Sequence, residues 1–86
     1  MFQANVRITL RKSILDPKGK AINMALGNLG FREVEEVRVG KLIQLAINTA
    51  DRDEALRIAT DSSRQLLANE VMEDFDIDLV ELQPAK

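Results

Sequence analysis

The chain has no cysteine, histidine, tryptophan or tyrosine in its 86 residues. Without cysteine there is no disulfide framework, thiolate nucleophile, iron–sulfur cluster or cysteine-based zinc site, and a reducing, cytoplasmic compartment fits. Without histidine it lacks the side chain most used for proton transfer near neutral pH and the commonest nitrogen ligand for metals. Catalysis would have to rest on carboxylates, lysine or serine. Long apolar runs are missing too: none approaches the ~20 residues that span a bilayer, and the N-terminus has no basic-then-apolar layout, so no membrane contact is expected. An excess of charge of one sign is also absent, since 12 Lys+Arg stand against 14 Asp+Glu. With 45% apolar and 30% charged residues the sequence reads as one folded domain over residues 1–86, and neither a disordered segment nor a polyanion-binding tail.

What is present is periodic. Phe2, Ala4, Val6, Ile8 and Leu10 alternate with polar residues, which predicts a strand buried on one face. Asp16-Pro17 combines an N-cap with proline at the first helical position, and Ala21, Ile22, Ala25, Leu26 and Leu29 recur at helical spacing up to Gly30, a left-handed stop. A helix over Pro17–Leu29 follows. Val37 and Val39, then Ile43, Leu45 and Ile47, read as a hairpin interrupted at Gly40-Lys41. Asp51 with Glu54 has the spacing of a capping box for a second helix over Arg52–Ala68, with Leu56, Ala59, Ser63, Leu66 and Leu67 as its inward stripe. Phe75, Ile77 and Leu79 alternate with Asp74, Asp76 and Asp78 in a last strand, and Gln83 to Lys86 reads as a frayed end. The order β-α-β-β-α-β predicts an α+β two-layer sandwich: an antiparallel sheet with both helices on one face. A chain this short with open strand edges is expected to associate with itself through the sheet.

Tests for chemistry come out against most sites. The Asp74-x-Asp76-x-Asp78 series fails as a calcium loop, because its sixth position is Leu79 and its twelfth Ala85. Gly19-Lys20 and Gly40-Lys41 lack the upstream glycine and the following Ser or Thr of a phosphate loop. Gly27-Asn28-Leu29-Gly30 fits the GxxG of nucleic-acid-binding KH domains, but a helix end explains it. The stretch from Lys41 to Asn48 carries no aromatic platform for RNA bases, and the chain is acidic overall, so no nucleic-acid partner is expected. No metal site is expected. Polar residues at the turns remain: Asp16, Arg38, Lys41, Asn69, Glu73 and Asp74, as local caps or as a contact surface.

Three segments together resemble the PurS family, the small subunit of phosphoribosylformylglycinamidine synthase in purine biosynthesis: Leu15-Asp16-Pro17-Lys18-Gly19-Lys20-Ala21, Val37-Arg38-Val39-Gly40-Lys41, and Leu66 through Phe75. The pattern departs at Glu70, where the family usually has proline. The resemblance implies a chain without an active site of its own, bridging a synthetase (PurL-type) and a glutaminase (PurQ-type) subunit and assisting ammonia transfer as a homodimer or tetramer. It implies no cofactor in this chain, with ATP and Mg used by the synthetase partner. By position, Asp16, Pro17 and Gly19 should shape the start of the first helix, Arg38, Gly40 and Lys41 a hairpin tip, and Asn69, Glu73 and Asp74 the turn into the last strand. The hairpin tip and that turn are the expected subunit contacts, with Arg38 and Lys41 reaching partner carboxylates. The residues alone also leave open a stand-alone ferredoxin-like module that senses a small molecule, and a carboxylate-dependent enzyme.

Overall fold

A computed structural model describes residues Met1–Leu82; the end segment from Gln83 to Lys86 lies outside the described residues. The elements run β1 (Phe2–Leu10), α1 (Pro17–Asn28), β2 (Gly40–Ile47), α2 (Arg52–Ser62) and β3 (Glu73–Glu81), and α2 continues into one π-helical turn over Ser63–Leu67. The sheet is antiparallel with order β2-β1-β3, so the N-terminal strand is central. That register places Phe2, Ala4, Val6 and Ile8 of β1 between Ile43, Leu45 and Ile47 of β2 and Phe75, Ile77 and Leu79 of β3 on one face. Gln3, Asn5, Arg7 and Thr9 face the other side with Asp74, Asp76 and Asp78. Arg7 Nε meets Asp76 Oδ1 at 2.9 Å there, a cross-strand pair in the expected acidic outer row.

Cap chemistry sets both helix starts. Asp16 accepts a hydrogen bond from the Gly19 N–H, with Pro17 behind it, and Asp51 accepts from the Asp53 N–H at 3.0 Å. Glu54 does not close a capping box with Asp51. Its carboxylate instead accepts from the Thr49 hydroxyl, which itself receives the Asp51 N–H. Helix α1 stops as expected at Gly30, whose φ of 98° lies in the left-handed region. The Phe31 N–H reaches the Leu26 carbonyl and the Gly30 N–H the Gly27 carbonyl, the paired bonds of a Schellman cap.

The α+β class, the antiparallel sheet and the two helices agree with the sequence reading; three details differ. Among the described residues the sheet has three strands, because residues 34–39 pair with none of them. The Val39 N–H donates to Asp16 Oδ2 at 2.7 Å, and Gly40 and Lys41 lie inside β2, opposite Thr9 and Ile8. There is therefore no hairpin tip. Secondly, only α2 packs on the sheet, through Ala55, Ala59 and Ser63, small residues that let it approach closely. Leu56 and Leu66 point outward, Leu66 at 82% exposure, because the sheet-facing line runs through these small residues and the π turn shifts the phase after Ser63. Thirdly, α1 makes only sparse contact with the sheet. With residues 34–39 alongside it, α1 forms an arm. The radius of gyration, 16.7 Å, far exceeds the ~12 Å of a compact chain this long.

Candidate functional site

The residues singled out in the sequence converge where the arm meets the sheet. Alpha helix α2 covers the half of the apolar face around Phe2, Ala4 and Ile47, and the turn after it brings Leu67 and Ala68 over Val6 and Ile8. Beyond that, the face opens into a groove of about 530 Å³ lined by Ile8, Leu10, Asp16, Pro17, Lys18, Val39, Gly40, Lys41 and Glu73. A neighbouring, more polar hollow is lined by Arg11, Glu70, Glu73, Asp74 and Phe75. The first helix start, the expected hairpin and the last turn, far apart in sequence, thus meet around one opening.

Asp16 is the joint. Its Oδ1 accepts the Gly19 N–H at 3.0 Å and its Oδ2 the Val39 N–H at 2.7 Å, so one buried carboxylate closes the arm at its root. Gly19 is needed at this spot: a Cβ there would overlap the Val37 carbonyl. Gly40 is also closely held, with the Ile8 carbonyl 2.7 Å from where its Cβ would stand. Arg38 does not extend towards solvent. Its Nη2 donates to the carbonyls of Leu10, Arg11 and Ile14, at 3.0, 2.7 and 3.2 Å, tying the end of β1 and the turn after it to the arm.

The last turn is held in a similar way. The Asn69 N–H donates to Glu73 Oε1 at 2.9 Å, and Asn69 Oδ1 accepts the Val71 N–H at 3.0 Å. Arg11 also donates from Nη2 to the Glu70 carbonyl, so side-chain bonds fix the turn at Glu70. Glu73 Oε2 lies 3.5 Å from Lys41 Nζ, a link across β1 between the two outer strands. Asp74 is on the opposite face, 3.4 Å from Arg11 Nε. Sequence reasoning missed the role of Arg11, whose only signal was its place just past the end of β1.

The Val39 N–H, then the Gly19 N–H, hold the Asp16 carboxyl below its ordinary value, partly opposed by burial and assisted by the Arg38 charge. A depressed folded pKa adds stability above the unfolded value, ~3.9, and that stability is lost as pH falls through the folded value. Melting curves from pH 7 downwards should therefore show the arm root weakening below pH ~4. Asp16→Asn should melt lower at neutral pH and lose less on acidification. An unchanged acid profile in that variant would place the sensitivity elsewhere.

Asp16, Arg38, Asn69 and Glu73 are occupied in holding backbone at this junction, and what the chain offers outward is an arm, a groove and open strand edges. The fold and site define a small assembly module. By sequence the chain belongs to the PurS family, phosphoribosylformylglycinamidine (FGAM) synthase, whose model matches residues 3–81. It is 37% identical over 82 residues to the PurS subunit of phosphoribosylformylglycinamidine synthase from Bacillus subtilis, an alignment covering 95% of this chain and 96% of that one. The crystal structure of Methanocaldococcus jannaschii PurS, described as a subunit of formylglycinamide ribonucleotide amidotransferase in the purine biosynthetic pathway, superposes with a TM-score of 0.86. Identity is 32%, and 96% of this chain and all of that one are covered. The structure of PurLQS from Thermotoga maritima contains a chain matching with a TM-score of 0.85 at 25% identity, over 92% of this chain and 96% of that one.

Proposed function

We propose that this chain acts as the accessory subunit of a phosphoribosylformylglycinamidine synthase, holding a glutaminase and an ATP-dependent synthetase subunit in register so that ammonia passes from one to the other. The solved PurLQS assembly of a relative supports this reading. Within the chain itself, the junction supports it: Asp16, Arg38, Asn69 and Glu73 are all engaged with backbone groups, which suits a rigid connector. The ATP and magnesium of the reaction belong to the synthetase, and the compartment is the cytoplasm. No helix among the described residues is long and apolar enough to cross a membrane.

Self-association belongs to the same reading, as a homodimer or tetramer. The arm leaves Ile22, Leu29 and Phe31 exposed, at 44%, 72% and 54%, uncovered among the described residues, where β2 and β3 both end the sheet with unpaired edges. A second copy would bury both features at once.

Glutamine-dependent amidine formation by the purified synthetase and glutaminase subunits should require this chain, and sizing should show a larger species only when all three are mixed. Full activity without it, with no complex under turnover conditions, would remove the accessory role. A metabolite that stabilises the isolated chain would then favour the sensor reading.

A further inference from the structure

Both carboxylates in the groove are already engaged, Asp16 by two backbone N–H groups and Glu73 by the Asn69 N–H and Lys41. Lys18, also in its lining, has no carboxylate within ion-pair distance among the described residues, and the same holds for Lys12 and Lys20 on either side of it in the chain. The placement runs against local preference. Lys18 and Lys20 occupy the start of α1, where the helix dipole favours acids, and the first turn contains no acidic residue. Such local conflicts collect at functional positions. Beside Lys18 the groove is apolar: Leu10, Pro17 and Val39 line it, over the buried Ile8.

The geometry points to this groove as a docking site for an acidic, aliphatic segment of a partner subunit, an apolar side chain seated on Leu10, Pro17 and Val39 and a neighbouring carboxylate paired with Lys18. The inference rests on the subunit reading above and adds the chemistry of the contact. An uncharged apolar segment would leave Lys18 unused, and a second copy of the arm would bring its own Lys18 against it.

The test is calorimetric titration of the purified synthetase and glutaminase subunits into the intact chain and into a Lys18→Glu/Lys20→Glu variant, at low and at moderate salt. Glutamate suits the first turn of a helix, so the variant should fold and keep its own oligomeric state, as checked by circular dichroism and sizing. Binding to the unaltered chain should weaken as salt rises, while the variant should bind ~10-fold or more weakly with a flatter salt dependence. Equal affinity and equal salt dependence for both would overturn the inference and leave the subunit reading standing. Protection of the unaltered chain but not the variant by inorganic phosphate would also overturn it, assigning the lysines to a small anion. If the unaltered chain binds neither subunit under turnover conditions, the subunit reading itself fails.

Discussion

Replacing Gly19 with alanine should detach the arm from its root. The added Cβ would meet the Val37 carbonyl oxygen, a backbone atom that cannot move away without carrying residues 34–39 with it. The same shift would pull the Val39 N–H off Asp16 and disturb the three carbonyls that Arg38 holds. Overpacking against backbone lies at the upper end of its usual cost, about 3 kcal/mol. Alanine is otherwise the better helix former, so intrinsic propensity pulls in the opposite direction by only ~1 kcal/mol. Thermal melting should show a marked loss of stability, and on the self-association proposed above sizing should show a smaller species. Gly27, with open space where its Cβ would stand, is the control. Gly27→Ala should be neutral or stabilising, and equal effects at both glycines would refute the close-approach explanation.

Truncating Ile8 to alanine should cost about 2–5 kcal/mol, as for other buried aliphatic deletions. Ile8 is fully buried at the centre of the sheet, and its side chain lies directly beneath the groove and supports its floor. A chain of this size has of the order of 4–13 kcal/mol of total stability, so the loss is a large fraction of it. Chemical denaturation should show the midpoint falling for Ile8→Ala, and Ile8→Val should cost only about 0.5–1.5 kcal/mol. If valine keeps full binding to the partner subunits and alanine loses it at concentrations where both are folded, the floor is part of the contact. If alanine is folded and binds normally, Ile8 is structural only.

The strands and the caps were legible in the sequence because each announces itself locally. Alternation fixed the buried face of β1 and of β3, and Asp16-Pro17 and Gly30 fixed the two ends of α1. What alternation cannot do is name a partner. Val37 and Val39 alternate as a strand does, but the Val39 N–H is taken by a carboxylate 23 positions earlier and not by a ladder. The stripe on α1 was likewise legible as apolar, but nothing in its spacing says whether its cover comes from the same chain. In the second helix the expected stripe holds at Ala59, Ser63 and Leu67 and fails at Leu56 and Leu66, which point outward while Ala55 faces the sheet, because closeness to the sheet outweighed side-chain size. The site was legible as a set of residues and not as a geometry. Arg38 and Lys41 were read as reaching outward, whereas Arg38 is fastened to three carbonyls and Lys41 to Glu73.

The thinness of the molecule has its own consequence. Its principal extents are 49, 33 and 15 Å, so it is a plate, barely one sheet and one helix deep. Two large proteins resting against its opposite broad sides would have only about 15 Å between them. Over that span a small neutral molecule leaving one of them would have little bulk water to cross before reaching the other, and the plate's long dimension would still give each a separate place to grip.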